Sequence, residues 1–217
     1  MKKNHKSNRT LQLVAIITLA IFAGILIGWW VSQNKSTEQP DSTVQQSQIP
    51  SPDATKFRAE YSSASPDNPF VYKTPTEIVE ILEKGTGLIY MGFPECPWCQ
   101  KYVGYLDEVA TSEGLKEIYY LNIREIRKNN TPEYQRIVEL TQKHLDKDDS
   151  GQPRVFVPDV VAVNDGEILG HNNTSSLNTS ADGTPNDWWT NERIGQLKTE
   201  LTHLVKEVQR CLSVCRE

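Results

Sequence analysis

Cys96 and Cys99 enclose Pro97 and Trp98. Two thiols at this spacing can exchange a disulfide with a second molecule, supply half of a zinc site, or form an inert cross-link. Exchange asks for a thiolate, and the free amides and dipole of a helix N-terminus favour negative charge there. The residues ahead of the pair, 87–93, form a short apolar run of the kind a buried central strand uses. Behind it, Tyr102, Val103, Leu106 and Val109 recur at helical spacing as far as Gly114. Cys96 is therefore expected at a helix start, with Cys99 one turn inward and Pro97 in the first turn, where its missing N–H costs nothing. Glu95 puts a negative charge beside Cys96 that opposes thiolate formation if the two groups are close.

A zinc ribbon needs a second cysteine pair in ligand geometry, and Cys211 and Cys215 have a different spacing on a helical stripe, so no metal is expected. That second pair suits packing, a disulfide in a frayed last turn, or a second redox relay. Cys96, His171 and Asn172 stand in the order of a cysteine-hydrolase triad, but that reading leaves Cys99 unexplained, and His171 reads as a surface residue at a strand end. His144 and His203, both placed in helices, suit a base no better. Residues 146–151 match the first half of a calcium loop, yet Pro153 and Val157 stand where the second half needs other residues, which leaves a solvated turn or a weak surface calcium site. Trp188 and Trp189 read as anchors for the last helix, and the sequons at Asn172, Asn173 and Asn178 as products of a polar loop.

The elements around the cysteines follow an α/β order. Thr74-Pro75-Thr76-Glu77 opens a helix that Gly85 ends, with Ile78, Val79 and Leu82 on one face. Residues 117–123 read as a strand, and Thr131-Pro132-Glu133 opens a helix with Tyr134, Ile137, Val138, Thr141 and Leu145 at spacings of three and four. Residues 155–163 read as a strand containing Pro158, which demands an edge or a cis bond. Asn164-Asp165-Gly166 then turns a hairpin into a return strand at 167–169. Residues 172–186 form a polar loop, and a helix from Trp188 onward carries Leu197, Leu201, Leu204, Val208 and Cys211 on one stripe.

The chain has 217 residues and a formal charge of −5. Lys2, Lys3, Lys6 and Arg9 account for four positive charges, so the remainder carries −9, the opposite of a nucleic-acid-binding surface. Residues 11–31 contain no charge and span about 30 Å as a helix, one bilayer. That run is longer than a signal-peptide core and ends in Trp29-Trp30, which suits a retained anchor. The basic residues ahead of it put a tail, 1–10, in the cytoplasm and the rest outside. Residues 32–55 are rich in Ser, Gln, Thr and Pro and read as a disordered tether with a typical reach of about 27 Å. One folded domain, 56–217, is expected in a compartment where disulfides persist.

Taken together, the strand feeding Cys96-Pro97-Trp98-Cys99, the Val157-Pro158 strand, the Asn164-Asp165-Gly166 hairpin and the C-terminal helix resemble the thioredoxin-like superfamily over about residues 74–215. With the anchor and Phe93-Pro94-Glu95 ahead of the pair, the chain looks most like the membrane-anchored bacteriocin transport accessory proteins of Gram-positive bacteria. The resemblance implies a three-layer fold with a central mixed sheet, Cys96 as exposed nucleophile, Cys99 as resolving thiol, and Pro158 as a cis-proline beside them. It further implies that Trp98, Val157 and Pro158 contact substrate, the Val157 backbone pairing with an extended segment. No cofactor follows from it. The implied partners are thiols or disulfides of exported proteins or peptides and a redox partner in the membrane, with oxidation or isomerisation favoured over reduction. A non-catalytic adaptor that binds a secretion partner through the groove at Trp98 and Pro158 is the alternative. One departure stands out: Tyr90 occupies the strand position where the family's buried Asp assists proton transfer.

Overall fold

The computed structural model describes residues 50–173 and 184–214. The basic tail 1–10, the span 11–31, residues 32–49 of the tether, the Asn178 sequon and Cys215 lie outside these residues. Among the described residues no helix is long and apolar enough to cross a membrane.

Twelve elements follow one another among the described residues. They are α1 (Pro52–Glu60), β1 (Phe70–Tyr72), α2 (Pro75–Lys84), β2 (Gly87–Gly92), α3 (Pro97–Ser112) and β3 (Ile118–Asn122), then α4 (Arg124–Lys128), α5 (Pro132–Thr141), β4 (Asp159–Asn164), β5 (Glu167–Asn173), α6 (Pro185–Trp188) and α7 (Asn191–Val214). The sheet is mixed, five strands in the order β1-β3-β2-β4-β5. Strands β1, β3 and β2 run parallel, and β4 and β5 are added antiparallel.

The local signals explain most of these elements. The Thr74 hydroxyl accepts the Glu77 N–H at 3.2 Å while the Glu77 carboxylate accepts the Thr74 N–H at 2.8 Å, a reciprocal cap worth about 1 kcal/mol. Every residue of β2 is buried, as a strand with neighbours on both edges and helices over both faces requires. Asp165 and Gly166 both take positive φ, 47° and 77°, the type I′ geometry that matches strand twist in a two-residue hairpin.

The alternation of β4 divides the core. Val160 and Ala162 face a cluster with Phe57 of α1, Tyr61 just after it, Leu106 of α3 and Leu201 and Val205 of α7. Val161 and Val163 face Ile78 and Leu82 of α2 and Ile137 of α5. Each fully buried Leu, Ile or Val contributes about 2 kcal/mol of transfer free energy.

Four expectations are corrected. Residues 52–55, expected in the tether, belong to the folded domain, because α1 starts at Pro52 with Ser51 as its cap and Ala54 and Phe57 are buried. The long helix begins at Asn191 rather than Trp188: the two tryptophans lie at the break and pack back on α3, Trp188 against Trp98 at 6.3 Å between ring centroids and Trp189 against Tyr105 at 5.4 Å. The return strand runs on to Asn173, so Asn172 and Asn173 belong to the sheet rather than to a polar loop. His144 lies beyond the end of α5, in a turn.

Candidate functional site at the Cys96 helix start

Strand β2 ends at Gly92 and α3 begins at Pro97, so only four residues carry the chain from the end of the central strand into the helix. The Cys96 N–H donates to the Phe93 carbonyl at 3.2 Å, closing that turn. Gln100 ties the turn to α1, its amide donating to the Pro94 carbonyl at 2.9 Å and to the Glu60 carbonyl at 2.8 Å. Cys96 is the N-cap residue itself, its sulfur accepting the Cys99 N–H at 3.2 Å. A sulfur thereby occupies the place that a Ser or Asp oxygen takes in an ordinary cap.

Both sulfurs are unbonded thiols here. Cys99 is fully buried and Cys96 is only 7% exposed, less open than the resemblance implied. The cover comes from the cis-proline loop, whose Val157 carbonyl lies 4.0 Å from the Cys96 sulfur. The peptide between Val157 and Pro158 is cis. Pro158 is buried, whereas Val157 and Trp98 are half-buried at the rim. Cys96, Cys99, Trp98, Val157 and Pro158 thus converge at one end of the sheet, and Pro158 leads straight into β4.

The two thiols are electrically unlike. The Cys96 thiol is lowered to about 7, first by the hydrogen bond from the Cys99 thiol, with the backbone N–H groups of Cys99 and Trp98 and the Arg127 charge adding to it against burial. Cys99 is pushed far up by burial and by its neighbour Cys96. Near neutral pH one thiol is therefore half ionised while the other keeps its proton. Glu95 does not spoil this arrangement, because it turns outward and pairs with Arg124 at 2.5 Å.

Beneath the cysteines lies a layer that spacing did not reveal. Tyr61, Tyr90, Tyr102 and Tyr120 are all buried in the cluster that holds both thiols, and burial raises each phenol. Tyr102 donates to the Asn172 carbonyl oxygen at 2.6 Å, and Asn172 donates to Glu200 at 2.5 Å. Asp159, next after Pro158, is fully buried and its Oδ2 lies 3.0 Å from His171 Nε2. His171 is thus not the surface residue its position suggested, and with Asn172 turned to Tyr102 and Glu200 no hydrolase triad assembles on Cys96. These partners are separated by up to 70 positions in the chain, and only the β4 to β5 register, Val161 opposite His171, hints at them.

The other sequence candidates fall elsewhere. Asp148 spends its carboxylate on the Ser150 N–H, the Ser150 hydroxyl and the Gln152 N–H. Among the described residues no three ligating side chains converge in a way that could hold a metal ion. Cys211 is half-buried on α7. No family model, curated protein or solved structure matches this chain.

Proposed function

We propose that the chain is a membrane-tethered thiol-disulfide oxidoreductase of thioredoxin-like fold, acting outside the cytoplasm on exported proteins or peptides. The observation that carries this reading is the Cys96 sulfur, capped by the Cys99 N–H at 3.2 Å and set 4.0 Å from the carbonyl of the cis Val157–Pro158 peptide. A mixed five-stranded sheet with helices packed on both faces is the framework such a fold requires. The anchor at 11–31 and the tether hold the domain within reach of a redox partner in the membrane.

In the reducing direction the Cys96 thiolate attacks a substrate disulfide, forming a Cys96 to substrate S–S bond and expelling one substrate thiolate, which takes up a proton. Cys99 then gives up its proton and attacks the Cys96 sulfur, leaving an intramolecular disulfide and a second substrate thiol. In the oxidising direction the same bonds form in reverse order: two substrate thiols lose two electrons to the Cys96–Cys99 disulfide, which the membrane partner regenerates. Disulfides persist in the compartment outside the cytoplasm, and that setting favours oxidation or isomerisation over reduction. The Val157 backbone, beside the attacking sulfur, is placed to pair with an extended substrate segment, and Trp98 flanks it.

The test is Cys99→Ser in cells. Reducible adducts joined through Cys96, absent from the Cys96→Ser and double variants, support exchange. Their absence, with secretion unchanged by loss of both cysteines, supports the adaptor instead.

A further inference from the structure

The reaction at Cys96 needs a second ionisation, because the buried Cys99 thiol must lose its proton before it can attack a mixed disulfide. Tyr90 lies on β2 two residues before Gly92, and the period of a strand puts both on the face that holds the cysteines. Its hydroxyl reaches forward along the strand to Gly92, where a Cβ would run into the hydroxyl oxygen and the ring carbon that bears it. The missing side chain at Gly92 therefore makes the room for this phenol. The next residue, Phe93, directs its backbone N–H at the Cys99 sulfur, and the Tyr90 hydroxyl faces the same sulfur. Tyr90 packs parallel to Tyr102 and Tyr120, with ring centroids 6.3 and 5.7 Å away, which fixes where the oxygen sits.

In the dithiol state this hydroxyl is fully buried, and among the described residues nothing stands in hydrogen-bonding geometry to it. Tyr61, its other polar neighbour, has its own hydroxyl engaged with that of Tyr120 at 3.2 Å. A buried O–H without an acceptor is costly, so a state of the protein that supplies one is favoured by it. A thiol sulfur is a weak acceptor and a thiolate a strong one. Burial holds the phenol well above its ordinary range, so Tyr90 donates a hydrogen bond without giving up its proton. The Cys99 thiol is held up first by burial, then by its hydrogen bond to Cys96 and by the Cys96 charge. A mixed disulfide on Cys96 removes that charge and that strong acceptor. Burial is then opposed by two donors, the Phe93 N–H and the Tyr90 O–H.

We propose that Tyr90 is the hydrogen-bond donor that stabilises the Cys99 thiolate while the mixed disulfide is resolved. This rests on the thiol-disulfide reading for the reaction at Cys96, and it assigns a further residue to the second step. The Cys99 S–H bond breaks, and the electron pair left on sulfur forms the S–S bond to Cys96 as the bond from Cys96 to the substrate sulfur breaks. The departing substrate thiolate takes up the proton that Cys99 lost. Tyr90 keeps its own proton throughout and gains the acceptor it lacks in the dithiol state.

The experiment mixes the reduced full chain in detergent with the symmetric disulfide of a short single-cysteine peptide, quenches in acid at timed intervals and reads both molecules by mass spectrometry. Attack by Cys96 gives the peptide adduct and one free peptide thiol; resolution by Cys99 gives the oxidised chain and a second peptide thiol. Tyr90→Phe keeps the ring and removes the hydroxyl alone, with folding checked by urea unfolding. The ratio of the resolution rate to the attack rate falls about tenfold in Tyr90→Phe at each pH across the neutral range, so the adduct accumulates. Tyr102→Phe removes a hydroxyl that is spent on Asn172 and keeps the parent ratio. A parent ratio in Tyr90→Phe, or a fall of the same size in Tyr102→Phe, overturns the role of Tyr90 and leaves the thiol-disulfide reading standing. Absence of any adduct in every chain, Cys99→Ser included, removes that reading and the resolving step with it.

Discussion

The Cys99 backbone N–H points at the Cys96 sulfur from 3.2 Å, and the Cys99 side chain beneath it has no access to solvent. One residue thus contributes a helix-cap donor to its neighbour, a thiol hydrogen bond to the same sulfur, and the sulfur that resolves the adduct. The division of labour between attacking and resolving thiol is set by this arrangement of burial and donors.

The first consequence is a pH profile. With Cys96 lowered to about 7, its alkylation by iodoacetamide rises through neutral pH and falls about tenfold for each unit on the acid side. Cys99, buried and pushed up, stays unmodified in the native chain over the same range. Peptide mass spectrometry after timed quenching measures both.

Substitutions at Cys99 separate the donors. The largest influence lowering Cys96 is the hydrogen bond from the Cys99 thiol. Cys99→Ala removes that donor and keeps the backbone one, so the alkylation midpoint of Cys96 moves up. Cys99→Ser retains a hydroxyl donor and keeps the midpoint below that of the alanine variant.

Asp159 and His171 give a pH dependence of stability with a defined sign. Burial works against a charged His171, but the Asp159 hydrogen bond and charge outweigh it and raise the imidazole above its ordinary value. Burial likewise raises Asp159, against the opposing hydrogen bond from His171. Groups raised on folding stabilise the fold most below their unfolded values and lose that contribution as pH rises through the folded ones. The advantage of the native chain over His171→Asn in urea unfolding is therefore largest on the acid side of the ordinary histidine range and shrinks above it. Because Asp159 is fully buried, His171→Ala costs about 3 kcal/mol or more where that carboxylate is ionised.

Gly166 ends the hairpin turn at φ +77° against the C-terminus of α2, its N–H donating to the Gly85 carbonyl at 3.1 Å. A Cβ there would run into the Glu83 carbonyl. Gly166→Ala is expected to lower stability by about 2 kcal/mol, through the backbone clash added to the left-handed conformation. Thermal or urea unfolding reads it, and Gly114→Ala, with positive φ but open space around it, costs less.

The parts of this architecture set by neighbours in the chain were readable as letters. Thr74 and Thr131 announce their helices by their own side chains, Asp165-Gly166 announces its turn, and Cys96 lies at its helix start because an apolar strand precedes it and a helical stripe follows. What stayed hidden depends on distant partners. Strand β1 is three residues long and exists because Tyr120 and its neighbours pair with it, so no periodicity can form over it. The α1 start was masked by a polar run, although Phe57 closes the core under Tyr120 at 4.9 Å between rings. Likewise His171 looked like a strand-end histidine because its carboxylate partner is 12 positions away and directly behind a proline.

The most direct test of the account mixes the reduced full-length chain with a peptide holding one internal disulfide and follows both molecules by mass spectrometry after acid quenching. Exchange through Cys96 predicts that the chain acquires the Cys96–Cys99 disulfide as the peptide gains two thiols, that Cys99→Ser stops at the mixed disulfide on Cys96, and that the rate climbs with pH through about 7. A peptide disulfide left intact while Cys96 and Cys99 both remain free thiols would contradict it.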